Sequence, residues 1–329
     1  GFDGAFDEAS ATVNDRILSI PGKESSEIIF ISFEGSNVVV FADGDVYGSG
    51  DVCSAGFDCG QATSTETYVP MRRANVPAGT KVVKAHASHR RAVFLLDNGQ
   101  VMIAGNNGRP GLACAAEWPV SQDNHKTPWV IPGVSNMQDV YSHERTTFFH
   151  GADGTGYFCG DNSNGQGGTG DYNEATSLTQ FEFSAGTPIQ GIVKMSYSQW
   201  HGVMLLLEVG EVWGIGYNAY AVYAPSPVPT QPTRPVLVRP LRSGTNVVDF
   251  ALSRGFQAFV VLDDGTVEAK GKDCSIWDTT DDIANNPWDH HTFTDSCDGW
   301  HQVQGLQAPV KRVHVNHGNW GGFLTVFEY

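Results

Sequence analysis

The side chains best suited to recognition lie in one loop near the C-terminus, residues 271–311. The loop carries clustered aromatic and imidazole side chains: Trp277, Trp288, His290, His291 and Trp300. Exposed aromatic residues anchor protein interfaces and stack on sugar rings. Asp289, His290 and His291 could also ligate a metal ion, and a self-packed loop with a polar surface is the structural alternative. We predict contact with a protein or glycan partner and assign no metal or cofactor.

The six cysteines suggest local cross-links. Cys53 and Cys59 bracket a short loop, Cys274 and Cys297 bracket the loop described above, and Cys114 with Cys159 could form a third pair. Disulfides that pin irregular loops are typical of oxidising compartments. Free buried thiols in an intracellular protein are the alternative. Zinc is disfavoured because no CxxC or HxxxH spacing occurs.

A proline-rich segment offers possible modification sites. Six prolines between residues 225 and 240 favour an extended polyproline II conformation, either as a rigid surface arm or as a contact strip. Ser226, Thr230 and Thr233 lie among these prolines and would suit O-linked sugars. The asparagine- and glycine-rich run at 160–168 predicts turns rather than a calcium site, since Asp161 and Asp171 are too few acidic ligands.

Catalytic motifs are missing from the sequence. It contains no GxSxG elbow, phosphate-binding loop or HExxH pair, so we predict a protein that is not an enzyme. His86 and His89 lie near strand ends, where structural histidines are expected.

A repeat of about 55 residues organises all of these segments. Glycines at tight turns recur at intervals of 55, 55, 56 and 55 residues: Gly44, Gly99, Gly154, Gly210 and Gly265. Each follows an apolar, β-branched run and precedes a return strand that ends six residues later at a second glycine. We interpret the Asp264-Gly265 turn as a two-residue hairpin and the other turns as copies of the same pattern. A gapless nineteen-residue frame aligns the residues before each turn glycine.

Six repeat units predict a single propeller domain over residues 1–329. The units begin near residues 26, 81, 136, 192, 247 and 311, and the last stops where its turn is due. Residues 1–21 contain an Asp-Gly turn and a segment that resembles the fourth strands, so they can complete the last blade. The expected fold is therefore all-β, a six-bladed propeller of four-stranded blades whose closing blade is shared between the N- and C-termini. Such closure removes open sheet edges. The alternative is that the N-terminal strands pair with a neighbouring molecule and form a polymer.

The repeat resembles that of the regulator of chromosome condensation family. The resemblance rests on the alternating apolar strands, the Asp-Gly-x-Val-aromatic turn and the run at 160–168, and it covers essentially the whole chain. It implies a β-propeller that acts as a protein-binding platform. Family members usually have seven blades, so six repeats are a departure from their pattern.

Charge and composition narrow the partners. The formal net charge is −16, which repels phosphate backbones and argues against nucleic acid. No apolar run is long enough to span a bilayer. The chain begins with Gly1 rather than Met, and this together with the cysteines predicts a processed secretory chain, although a trimmed chain would look the same. We therefore expect a secreted, non-catalytic interaction or structural subunit that binds protein or glycan and can form homo-oligomers or filaments. The alternative is an intracellular adaptor or guanine nucleotide exchange factor.

Overall fold

The computed structural model describes most of the chain. The described residues are 20–33, 36–60, 62, 64–88, 91–105, 114, 125–143, 145–198, 202–218, 231–239, 245–252, 257–272, 296–306, 309–315 and 325–328. They form 24 β-strands and one short 3-10 turn at Ser25–Glu27.

Twenty of these strands form five antiparallel four-stranded blades, each with its strands in chain order from first to fourth. Blade one contains β1 (Ile28–Phe33), β2 (Ser36–Phe41), β3 (Val46–Gly50) and β4 (Thr65–Pro70). Blade two contains β5 (Val82–Ser88), β6 (Arg91–Leu96), β7 (Val101–Gly105) and β8 (His125–Val130). Blade three contains β9 (Met137–His143), β10 (Thr146–Gly151), β11 (Gly156–Gly160) and β12 (Ala175–Gln180), followed by a small hairpin of β13 (Glu182–Ser184) and β14 (Thr187–Pro188).

The chain continues in the same way. Blade four contains β15 (Ile192–Ser198), β16 (Gly202–Leu207), β17 (Val212–Gly216) and β18 (Val236–Arg239). Blade five contains β19 (Val247–Leu252), β20 (Gln257–Leu262), β21 (Val267–Lys272) and β22 (Ser296–Gln302). In the sixth blade the structure describes a two-stranded sheet of β23 (Arg312–Val315) and β24 (Thr325–Glu328). The all-β, six-bladed propeller predicted from the repeat is confirmed.

The core is divided among the spaces between successive blades. The second strands β6, β10, β16 and β20 are buried along their whole length because each blade is covered on both faces. One apolar cluster joins blades one and two, and others join each following pair as far as blades five and six. The first strands lie innermost and contact one another around the axis, and we call β1, β5, β9, β15, β19 and β23 the inner strands. Each blade is therefore stabilised by its two neighbours.

The glycine turns differ in class from the prediction. Leu262 N donates to Thr266 O (2.8 Å) and Gly265 N donates to Leu262 O (2.9 Å), which encloses a three-residue loop. Positive φ occurs at Gly265 (82°) but not at Asp264, whose carboxylate instead accepts from Thr266 N at 2.8 Å. The two-residue hairpin was therefore wrong. The geometry is that of a turn closed by a glycine bulge, where a single residue must be left-handed.

The gapless frame also fails in the inner strands. Ala42 N donates to Glu27 O (2.8 Å) in blade one, whereas Glu208 N donates to Gly191 O (2.7 Å) in blade four. Glu27 lies 17 residues before Gly44, but Gly191 lies 19 residues before Gly210. The connections between the first and second strands differ in length, so the frame slips by one or two residues there.

Ile20 bears on how the ring closes. Its side chain is 3% exposed and packs against Val39 and Phe41 on the face of blade one that points away from blade two. Lys23 N donates to Ile20 O across Gly22 (φ 74°), just as Val134 N donates to Ile131 O across Gly133 (φ 74°). Ile131 directly follows the fourth strand of blade two and still donates to Val101 O at 2.9 Å. Ile20 therefore lies where the fourth strand of a closing blade should end, and residues 1–19 lie outside the described residues.

Candidate functional site

The long connections between third and fourth strands all leave from one face of the ring. In blades one to five the third strand has a glycine with positive φ as its last or next-to-last residue: Gly50 (92°), Gly105 (111°), Gly160 (99°), Gly216 (86°) and Gly271 (111°). The antiparallel order places these glycines at the opposite end of each blade from the glycine turns. We call this side the loop face and the opposite side the turn face.

A disulfide joins Cys53 to Cys59 on the loop face, with the two Cα atoms 5.3 Å apart. The loop that it closes is folded inward, because Val52, Ala55 and Phe57 are fully buried in the cluster between blades one and two. Loop shape is thereby fixed by both the covalent bond and apolar packing.

A second disulfide joins Cys114 to Cys159, again with a Cα separation of 5.3 Å. Cys114 belongs to the long connection of blade two, whereas Cys159 lies in β11 of blade three. Both are buried in the cluster between those blades, and Cys114 has the left-handed φ of 58°. The bond therefore ties one blade's loop to the next blade. The remaining predicted pair is Cys274 with Cys297. Cys274 and the side chain of Cys297 lie outside the described residues.

The asparagine- and glycine-rich run in blade three is held by its own hydrogen bonds. The amide of the fully buried Asn162 accepts from Gly167 N (2.7 Å) and donates to Asp171 O (3.0 Å). Asp161 accepts from Ser163 N at 3.1 Å. Slight burial opposes ionisation of Asp171, but hydrogen bonds from Asn173 and Thr169 outweigh it and hold the pKa of that carboxyl below its ordinary value. The polar atoms of this run are thus used to build turns.

The end of the proline-rich segment packs on this run. Gln231 donates to Asn164 Oδ1 at 2.7 Å and its carbonyl accepts from the Tyr172 hydroxyl at 2.9 Å. Thr233 is half-buried, and its carbonyl accepts from Gly170 N at 2.8 Å. Ser226 and Thr230, the other predicted sugar sites, lie outside the described residues.

Trp300 is half-buried between blades four and five. It packs on their shared apolar cluster and donates its indole N–H to Val238 O at 3.3 Å. Much of this side chain therefore contributes to blade packing rather than to a free surface. The other predicted contact residues, Trp277, Trp288, His290 and His291, lie outside the described residues.

The central channel holds a cavity of about 180 Å³ between the inner strands of blades one to four. Its lining is mostly aromatic: Phe30, His86, Asp139, Tyr141, Met195, Ser196 and Tyr197. Tyr141 and Tyr197 stack with ring centroids 4.3 Å apart, and His86 meets the edges of Phe30 and Tyr141. These contacts pack aromatic rings of the inner strands of blades one to four against one another.

Ion pairs link neighbouring inner strands next to this cavity. Lys84 Nζ lies 3.1 Å from Asp139, and Lys194 pairs with Asp249. The strand registers place the four residues at the same position of blades two, three, four and five. Lysine and aspartate therefore alternate from blade two to blade five. One ion pair joins blade two to blade three, and the other joins blade four to blade five.

A serine–histidine contact is the feature of the channel closest to catalytic machinery. Ser32 Oγ lies 3.1 Å from His86 Nδ1. Enclosure among aromatic rings lowers the pKa of His86 to about 4, which outweighs the nearby charge of Asp139. An imidazole this weakly basic is a poor general base at neutral pH. The geometry therefore indicates a packed structural pair.

Sequence reasoning missed the two ion pairs between inner strands and the lining of the channel, apart from predicting that His86 is structural. The gapless frame aligns Lys84 with Asp139 but displaces Lys194 and Asp249 by one residue. A frame counted from the start of each inner strand would have revealed the alternation.

Two further observations concern the described part of the chain. No group of three His, Cys, Asp or Glu side chains there is arranged to hold a metal ion. None of its helical residues forms a helix with the length and apolar character needed to cross a bilayer.

No family model and no curated protein sequence matches the chain. Solved structures do match its fold. Human WBSCR16 aligns with a TM-score of 0.62 and 18% identity, covering 76% of this chain and 63% of that one. Yeast RCC1 (Prp20) in complex with Kap60 aligns with a TM-score of 0.60 and 18% identity, covering 75% and 56%. Prp20p from Saccharomyces cerevisiae aligns with a TM-score of 0.50 and 16% identity, covering 92% and 82%. The chain thus has the propeller fold of the regulator of chromosome condensation repeat, and it spans less than two thirds of the first two of these chains.

Proposed function

We propose that the chain is an extracellular, non-catalytic propeller that binds a protein partner through its loop face. The observation that carries the proposal is the bracing of that face. One disulfide closes the blade-one loop, a second ties the blade-two loop to blade three, and hydrogen bonds join the blade-three run to residues 231–234. Loops that are ordered before binding lose less conformational entropy when a partner arrives.

The similar structures support a protein as the partner. Yeast Prp20 is bound by Kap60 and has binding properties toward Gsp1p and histones. The same fold in the present chain provides a rigid ring on which variable connections are displayed. We extend protein binding, but none of those particular partners, to this chain.

The cysteine pairing supports an extracellular location. Disulfides persist in oxidising compartments and are rare in the cytosol. Self-assembly into a larger polymer is the second part of the proposal, and it follows from a closing blade whose N-terminal strands could be exchanged between molecules.

The redox claim is tested by intact mass of protein taken from its natural source, with free thiols alkylated before and after reduction. We expect two or three disulfides. Six alkylated thiols before reduction would overturn the extracellular location and would favour an intracellular adaptor or exchange factor.

The binding claim is tested with a photo-reactive benzoylphenylalanine at Tyr172, which is 51% exposed on the loop face. The matched control carries the same group at Thr67, exposed on the outer strand β4. We expect partner adducts at Tyr172 alone, and adducts at multiples of 35.5 kDa would identify self-assembly. Equal labelling at both positions would contradict a loop-face site.

A further inference from the structure

The inner strands share a β-bulge directly after their first residue. In five blades the pairing between first and second strands skips one residue there: Ile29, Val83, Gln138, Val193 and Val248. A bulge leaves its extra residue out of the ladder and redirects the side chain. The same distortion in five repeats presents five equivalent side chains around the axis, and we call them the bulge ring.

Four members of the bulge ring are β-branched and apolar, and three of these are exposed. Ile29, Val193 and Val248 are 49%, 48% and 50% exposed, whereas Val83 is half-buried. The fifth member is the exposed Gln138, which donates to Gly151 O at 3.1 Å. Because the fold accommodates a polar side chain at this position, packing alone does not demand aliphatic residues in the other blades.

The bulge ring lies on the turn face, opposite the loop face. In blades one to five the residue after the second strand donates to the residue just before the inner strand of the same blade, as in Asp97 N to Lys81 O (2.9 Å). This places turn and bulge at the same end of every blade. Val209, in the glycine turn of blade four, is 58% exposed and adds to the apolar surface of this face. Exposed apolar side chains repeated at one end of a fold are candidates for an interaction site.

Acidic side chains surround the bulge ring. Every described glycine turn carries at least one exposed carboxylate: Asp43, Asp97, Asp153, Glu208, Asp263 and Asp264. On the same face, Lys23 is already paired with Asp43 and with Asp45 (2.7 Å), while Lys84 and Lys194 are paired with Asp139 and Asp249. The exposed Lys81 donates to Ala42 O at 3.3 Å, and Arg73 pairs with Asp45 at 2.6 Å. Lys311 and Arg312 are exposed at the start of the inner strand of blade six, where Arg312 lies 4.0 Å from Glu328. Carboxylates outnumber these cations, so the rim keeps an excess of negative charge around the apolar members of the bulge ring.

We propose that the turn face is a second docking surface, distinct from the loop face, for a protein segment that carries apolar side chains flanked by lysine or arginine. The aliphatic centre would exclude water from the partner's apolar residues, and the acidic rim would attract and orient its basic ones. Nucleic acid is the wrong chemistry for this rim, because its phosphates would meet carboxylates.

The experiment uses the full chain and three fluorescein-labelled synthetic peptides of equal length, made of leucine and lysine, of serine and lysine, or of leucine and glutamate. Binding is followed by fluorescence anisotropy, and each variant's melting temperature is measured beside it. The test variant carries Ile29→Thr, Val193→Thr and Val248→Thr, which keep the β-branched shape. Glu208→Lys tests the rim, and Glu66→Lys on the outer strand β4 is its matched control. Leu237→Thr, at an exposed position of β18, controls for loss of an apolar surface residue elsewhere.

We expect the leucine–lysine peptide to bind best and the triple variant to weaken it about tenfold, because three apolar contacts are lost. Gln138→Val should tighten binding about threefold by completing the ring, and Glu208→Lys should weaken it by a similar factor. Glu66→Lys and Leu237→Thr should bind like the original chain.

Each of the following four results would overturn the proposal. Equal affinity for the serine–lysine peptide would mean charge alone, and equal affinity for the leucine–glutamate peptide would mean that basic residues are not selected. A dimer in sedimentation that the triple variant abolishes would make a second copy the occupant. If the triple variant melts too early to be used, Gln138→Val decides, since unchanged affinity in that variant also contradicts the bulge ring.

Discussion

His86 is a side chain whose environment makes stability depend on pH. Its pKa falls from an ordinary 6.5 to about 4 because the ring is enclosed by Phe30, Tyr141 and their neighbours. Between these values the unfolded chain binds a proton that the native histidine refuses. As far as His86 is concerned, the free energy of unfolding is therefore highest above pH 6.5, and it declines as the pH falls toward 4.

The corresponding prediction concerns His86→Gln, which keeps a hydrogen-bonding partner for Ser32. As the pH is lowered from 6.5 to 4, we expect the free energy of unfolding of the variant to fall by up to about 3 kcal/mol less than that of the original chain. Urea unfolding at several pH values measures this difference. Burial also lowers the pKa of His150, so His150→Gln should remove a further part. Asp43 and Asp264, whose pKa values lie below 3.8, lose their contributions only at lower pH. An unchanged slope in His86→Gln would contradict the enclosed, neutral imidazole.

At the scale of the strand and turn, the glycine turns have two separate requirements. Gly99 has φ of 77°, and an added Cβ would lie 3.0 Å from backbone atoms of Asn136 at the start of blade three. Gly133 has φ of 74° and open space around the same position. The pair separates the cost of a left-handed backbone from the cost of close approach between blades.

We predict that Gly133→Ala lowers the free energy of unfolding by about 1 kcal/mol, through backbone strain alone. Gly99→Ala should cost about 2 to 4 kcal/mol, since overpacking against the next blade adds to the same strain. Urea unfolding of both variants gives the comparison. Equal losses of unfolding free energy in the two variants would show that blade three shifts away from the added Cβ without an energetic cost.

At the scale of the whole molecule, ring closure depends on which segment covers the face of blade one that points away from blade two. Ile20 buries its side chain there as Ile131 does between blades two and three, with exposures of 3% and 1%. If the N-terminal segment closes its own ring, Ile20→Ala and Ile131→Ala should each cost about 2 to 5 kcal/mol, independent of protein concentration.

Thermal unfolding over a wide range of protein concentration tests this prediction, with the exposed Val209→Ala as the neutral control. The melting temperature could rise with protein concentration in the original chain but not in Ile20→Ala. That result would mean that the N-terminal segment is supplied by a neighbouring molecule. That outcome would favour the polymer over the closed monomer.

The repeat alone determined the fold class. Turn glycines at a nearly constant interval, and the β-branched runs before them, are local features that are visible in the order of the residues. The same local features identified the second glycine of each repeat, from Gly50 to Gly271. They also indicated that Cys53 could pair with Cys59. It did not determine the turn class, since Asp264 is compatible with two turn geometries that differ only in backbone angles.

Only the tertiary structure decided what converges at the axis. Lys194 and Asp249 are separated by 55 residues and meet because inner strands of successive blades lie side by side. The bulges that expose Ile29, Val193 and Val248 depend on how each inner strand pairs with its neighbour, and variable connections hide that register from a gapless alignment. Alternation along one strand is visible in sequence, whereas a ring assembled from one residue of each blade exists only once the blades have packed.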